Sequence, residues 1–457
     1  MSEPGPSASP RRRKEVIDAL RRGTVPSQGL DLLAVGLDRF GPALDSELDT
    51  AAVGGSAFKA VRGEYGTGKT FFVRHLAERA LRRGLATAEV QISETETPLH
   101  RLETVYRRVT ESLRTASTPP SAFRSVLDSW MFTLETDALA VDPALEHAAP
   151  ERLSEVVDAL LDQRLAEVTA RTPAFSMALR SYRRAVADGE SATADALAAW
   201  LGGQPHVAAA AKRAAGVRGD LDHFGAMGFL QGLLLVLRDA GHPGLLLVLD
   251  EVETLQRMRS DVRDKALNAI RQLIDEIDSG RFPGLYLVIT GTPPFYDGPS
   301  GVARLAPLAG RLATDFTTDA RFDNPRAVQV RLTGFDQRSL VELGGRVRDL
   351  YAAGSAAPER VRTMVDEPYL EELTGAVAGS LGGRVGIAPR LFLKKLIGDV
   401  LDRVDQFEDF DPRRDYALTV RAEELTEVEG AAVGGGTPTT RGRAGSADSA
   451  DDIPLEL

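Results

Sequence analysis

Eight consecutive residues restrict the fold of this chain more than any others: Gly63-Glu64-Tyr65-Gly66-Thr67-Gly68-Lys69-Thr70. They satisfy G-x-x-x-x-G-K-[ST], the phosphate-binding loop. The backbone N–H groups of such a loop converge on a concavity that accepts phosphate oxygens. The helix that follows adds the positive end of its dipole. Lys69 can reach the β- and γ-phosphates of a nucleotide as a point charge, and the Thr70 hydroxyl can ligate Mg2+. Gly66 and Gly68 permit positive φ and close approach of the ligand. All eight residues, Gly63, Glu64, Tyr65, Gly66, Thr67, Gly68, Lys69 and Thr70, are therefore candidates for nucleotide binding.

The motif demands a strand before it and a helix after it. Phe58 to Arg62 predicts the strand. Phe71 to Arg83 predicts the helix, with Phe72, Leu76, Ala80 and Leu81 at helical spacing and Gly84 ending it. Ala86 to Ile92 predicts a second strand, so the three elements read as one βαβ unit. Leu245 to Leu249 and Leu285 to Thr290 are continuous apolar runs, the pattern of strands buried on both faces of a parallel sheet. Ala327 to Leu332 is the last strand candidate, and Asp261 to Ile277 is strongly helical.

The ends of these strands carry the chemistry. Asp250 and Glu251 close the run LLLVLDE. Beside a phosphate loop, Asp250 is the candidate to hold Mg2+, directly or through water, and Glu251 the candidate to polarise the attacking water. A capping acid at a strand-to-helix turn is the plainer alternative. Glu253 reads as an acid behind the site or in solvent. Thr290 ends the next strand and could hydrogen-bond the γ-phosphate or the attacking water, with Thr292 as its alternative. Arg311, in Leu308-Ala309-Gly310-Arg311-Leu312, could neutralise transition-state charge at a neighbouring subunit's nucleotide, in competition with Arg304 and Arg321. A surface ion pair is the other reading of Arg311. Arg390, in Gly386-Ile387-Ala388-Pro389-Arg390, opens a helix and could point at the γ-phosphate; its alternative is a structural ion pair at a helix start.

The rest of the chain divides by composition. Residues 1–50 predict a disordered start followed by short helices, of which Arg11 to Arg22 is amphipathic through Val16, Ile17 and Leu20. Residues 51–335 predict a P-loop ATPase domain of α/β class, a parallel sheet between helices, with a helical insertion at about 98–240. Residues 336–420 predict a helical C-terminal lid. Residues 421–457 are rich in Gly, Ser, Thr and acids and predict a disordered acidic tail. That tail holds eight acids and three bases, so it carries −5 of the net charge of −11. The negative balance argues against a protein that coats nucleic acid through overall charge, yet leaves room for local basic patches. Zero Cys excludes a disulfide framework, a thiolate zinc site and a cysteine nucleophile. No run of 18 apolar residues predicts a membrane span, and MSEPGPSASP lacks the apolar core of a secretory signal, so the cytoplasm is the expected compartment.

The order phosphate loop, Asp-Glu strand, sensor strand and helical lid with Gly-x-x-Pro-Arg resembles the AAA+ and related STAND-type ATPases. Longer segments sharpen the resemblance: Ala19-Leu20-Arg21-Arg22-Gly23-Thr24-Val25-Pro26, Arg62 through Phe71, Gly244 through Leu255 and Pro283 through Pro293. In these the chain is similar to the BrxD family of ATP-binding proteins of bacteriophage-exclusion (BREX) systems, over roughly residues 15–405. The resemblance implies ATP and Mg2+ as cofactors and hydrolysis as a motor or switch in a defence complex. It implies other BREX components as partners, including a DNA methyltransferase, with DNA a candidate ligand and a homo-oligomer the expected assembly. An ATPase of the replication-initiator or clamp-loader kind is the competing reading. It is disfavoured, because an initiator's winged helix needs about 70–80 residues after the lid, a module at the small end of domain size. About fifty residues follow Val404.

Overall fold

The computed structural model describes residues 9–147, 149–380, 389–421, 423 and 425. Five parallel strands form one sheet: β1 (Ala57–Arg62), β2 (Ala86–Gln91), β3 (Leu245–Asp250), β4 (Leu285–Gly291) and β5 (Gln329–Arg331), in the order β2-β3-β4-β1-β5. This is the α/β P-loop fold, a parallel sheet between helices.

The first strand, helix and strand form the expected βαβ unit, with its two strands not adjacent. β1 and β2 are parallel, but β3 and β4 lie between them. Burial explains the order. β3 and β4 are buried along their whole length. The central places take such strands, whereas β2 carries Glu89 and Gln91 and sits at an edge.

Side chains alternate across the sheet with period two. Leu246, Val248, Tyr286 and Val288 pack with the helices α2 (Gly41–Ala52) and α3 (Lys69–Arg82) through Leu44, Leu48, Phe72 and Leu76. Leu245, Leu247, Leu249, Leu285 and Leu287 face the other way. There they join helix Ser260–Asp278 and the helical block that lies between β2 and β3. That block runs from helix Leu102–Ser112 to helix His223–Asp239. Phe229 is its hub, with ring centroids 5.1 Å from Phe175, 5.3 Å from Trp200 and 5.7 Å from Tyr106, all edge-on. A Cβ at position 232 would stand 2.4 Å from the Phe175 ring, so glycine there lets the two helices close.

A second core joins the two ends of the chain. Helices Gln337–Ala352, Glu367–Ser380 and Pro389–Lys395 contribute Leu340, Val347, Leu370 and Phe392. Helix α1 (Pro10–Arg21) contributes Val16, Ile17 and Leu20, and the segment after it Leu33 and Val35. Arg21 clamps the arrangement by two bonds to Asp402, at 2.8 and 2.9 Å. Residues 10–35, which composition groups into a separate N-terminal segment, thus share a core with the C-terminal helices, while Leu44 and Leu48 pack on the sheet. Residues 1–8, Gly386 to Ala388 and most of the 421–457 tail, expected to be disordered or to open the lid helix, lie outside the described residues. Among the described residues no helix is long and apolar enough to cross a membrane.

Candidate functional site

Register brings the chemistry together. β1 pairs with β4 so that Val61 lies beside Thr290 and Arg62 beside Gly291; β3 pairs with β4 so that Leu249 lies beside Ile289. The carboxyl ends of all three strands therefore stop at one level, where ligands bind in parallel sheets. From β1 the chain turns through the glycine loop into α3, with φ of 83° at Gly66 and 90° at Gly68, a conformation that residues with a Cβ rarely hold.

Polar contacts tie the strand ends to the loop. The Thr70 hydroxyl donates to Asp250 Oδ2 at 3.2 Å. The Thr290 hydroxyl donates to Asp250 Oδ1. The Glu251 N–H donates to both Asp250 Oδ1 and Thr290 Oγ1, at 3.1 Å each. Glu251 itself sits at φ 60°, ψ 40°, a left-handed conformation that costs a non-glycine residue about 1–3 kcal/mol. The two bonds to its N–H help hold it there. Its carboxylate accepts from Gln91 Nε2 at 3.1 Å, across the gap from the end of β2. Gln91 is a site residue that the sequence reading missed; only the pairing of Gln91 with Asp250 in register reveals it.

Lys69 Nζ donates to the carbonyls of Gly63, at 2.9 Å, and Glu64, at 3.3 Å. Glu253, expected behind the site or in solvent, is 5% exposed and lies 3.7 Å from Lys69 Nζ. Burial pushes its carboxyl above the usual range, against the pull of Lys69. Thr290 is fully buried and bonds Asp250 directly, so it orients the carboxylate next to the loop. Thr292 is buried at the start of the short helix Pro293–Asp297.

The arginines separate. Arg390 lines the same cavity as the phosphate loop. Arg311 does not line it; its guanidinium pairs with Asp275 and donates to the Pro307 carbonyl at 2.9 Å. Arg304 is bound to Asp264 and to Ser260 Oγ. Arg321, 74% exposed in its side chain, lies 3.8 Å from Asp319.

The cavity measures about 440 Å³. Tyr65 to Thr70, Asp250, Glu251 and Glu253 line it, and so do the apolar Val25, Pro26, Leu33, Val35, Phe335, Leu343 and Leu393. That volume and mixed lining suit a small ligand with both charged and apolar parts. Sequence patterns do not place Gly23 to Leu30 at this cavity. What carries this stretch to the cavity is long-range: the Glu78 carboxylate of α3 takes the Gly29 and Leu30 N–H groups.

Glu78→Ala should leave both donors buried without an acceptor, each costing about 1–3 kcal/mol. The expected result is a stability loss of about 2–4 kcal/mol by chemical denaturation. Nucleotide affinity should fall with it, although no phosphate contact is touched. Unchanged affinity would show that the N-terminal wall is not part of the binding surface.

Residues 8–420 match the family model described as BREX system ATP-binding protein BrxC/D. No curated protein matches the chain. Among solved structures, the Aeropyrum pernix ORC2 protein, determined as ADPNP–ADP complexes, aligns at 11% identity with a TM-score of 0.32, over 83% of this chain and 70% of that one.

Proposed function

This chain belongs to the family of BREX system ATP-binding proteins BrxC/D, and from that premise we propose that it is an Mg-dependent ATP hydrolase. The motif segments around Gly23, Gly63, Asp250 and Thr290 favour the BrxD branch. In this reading the enzyme works in the cytoplasm as a motor or switch with the other BREX components, as a homo-oligomer, with DNA a ligand to be tested. The chain then divides into the ATPase domain 51–335, with its insertion at about 98–240, and the lid 336–420.

The observation that carries the proposal is one continuous contact path: loop, Thr70, Asp250, Thr290 and the Glu251 backbone, of which the loop, Thr70, Asp250 and Glu251 line one cavity. The two oxygen donors Thr70 Oγ1 and Asp250 Oδ2 stand 3.2 Å apart there. Few protein donors and room for phosphate oxygens and water fit Mg2+, which keeps several waters. Thr70 and Asp250 would hold the ion, and it would offset charge on the phosphates. Glu251 would accept the proton of the water that attacks the γ-phosphorus, as the bond to the β–γ bridging oxygen breaks and ADP leaves. Arg390 would meet the γ-phosphate from the lid side, and Thr290 would hold Asp250 and the Glu251 N–H in place.

Lys69→Ala removes the charge set by the loop, and charge-assisted contacts are about twice as strong as neutral ones. A fall in Mg-ATP affinity of about 100-fold is expected, equal to roughly 2.8 kcal/mol. ADP release should be measured with and without DNA and with no other phosphate acceptor. No release under any of these conditions would leave a binding protein rather than a hydrolase.

A further inference from the structure

We infer that Glu253 competes with the phosphates for Lys69, and so sets how tightly this site holds a triphosphate. The inference rests on the nucleotide-site reading above. Glu253 lies in the turn Val252–Arg257 that follows β3, and its side chain is 4% exposed. Among the described residues neither carboxylate oxygen has a hydrogen-bond partner, although the residue lines the cavity. A buried carboxylate with both oxygens unpaired is costly unless a cation stands near. Lys69 Nζ, at 3.7 Å, is that cation.

Lys69 is correspondingly turned back on its own loop. Its ammonium bonds two loop carbonyls, lies 5.0 Å from the centre of the Tyr65 ring and faces Glu253. Asp250 and Glu251 act on Glu253 as like charges. When a triphosphate enters, Lys69 has to turn its charge to the phosphates. Glu253 then loses its counter-ion and gains an anionic neighbour. Both changes oppose binding, so this chain should hold nucleotide less tightly than one with a neutral group at 253. The same opposition speeds release, which a turning-over ATPase needs.

The test measures Mg-ATP affinity by titration calorimetry on the full chain for Glu253→Gln, Lys69→Ala and the double variant. Glu253→Gln should bind about tenfold more tightly, a fraction of the attraction between unit charges about 4 Å apart at a protein-like dielectric. Loss of a merely structural residue would weaken binding. In the Lys69→Ala background the gain should shrink, because the competition needs the lysine and only the repulsion between Glu253 and the phosphates remains. Unchanged or weaker binding by Glu253→Gln, or an equal gain without Lys69, overturns the inference. If Lys69→Ala alone keeps wild-type affinity, the nucleotide-site reading itself falls. Should Glu253→Gln fail to fold, Glu253→Met carries the same expectation at similar volume without charge.

Discussion

Glu251→Gln binds Mg-ATP as the unchanged chain does and turns it over about 10²–10⁴-fold more slowly, the range a positioned general base supplies. The substitution keeps the length of the side chain and removes its proton acceptor. The Glu251 N–H bonds to Asp250 and Thr290 belong to the backbone and survive, so the left-handed turn should survive too. Calorimetry reports the binding, and single-turnover ADP release reports the chemistry; the variant separates the two. Turnover at the unchanged rate would move the base to another residue. Glu253, also on the cavity wall, would be the next to test.

Arg311→Ala should keep nucleotide affinity and lose turnover by about 10³–10⁵-fold, the contribution of an arginine supplied by a neighbouring subunit. Within one chain Arg311 lies outside the cavity and is paired with Asp275. Service at a phosphate therefore requires a second copy of the chain and release of that pair. Specific activity should rise with protein concentration. Mixing Arg311→Ala with Glu251→Gln chains should restore part of the activity, since an intact Arg311 from one chain can serve an intact Glu251 of the other. The competing account is an ordinary ion pair, worth about 0–1 kcal/mol at a partly exposed site. Asp275→Ala separates them. If the pair is the whole role, both substitutions cost similar stability and neither affects turnover. If the arginine acts in trans, only its own loss does. No recovery in a mixture shown to co-assemble would count against the role in trans.

What could be read in advance follows the range of the physics. The phosphate loop is eight adjacent residues whose backbone conformation is set by their own glycines, and its flanking strand and helix announce themselves by spacing. The runs at Leu245 and Leu285 identified buried parallel strands because each is apolar on both faces. Asp250 and Glu251 followed from their place at the end of such a strand.

Other features depend on residues far apart in the chain. The places of β2 and β5 at the sheet edges were not read, because local patterning says how buried a strand will be, not which strand lies beside it. The apolar wall from Val25 to Val35 was missed because it reaches the cavity only when α1 joins the core of the C-terminal helices and Glu78 grips Gly29 and Leu30. Glu253 read only as an acid behind the site or in solvent, because its neighbours in sequence do not reveal Lys69, 3.7 Å away. Sequence by itself determined the phosphate loop, the strands and the acids at their ends, since each is specified by contiguous residues. The tertiary structure alone decided which walls close the cavity and which charge faces Lys69, since burial and pairing are properties of segments brought together only by folding.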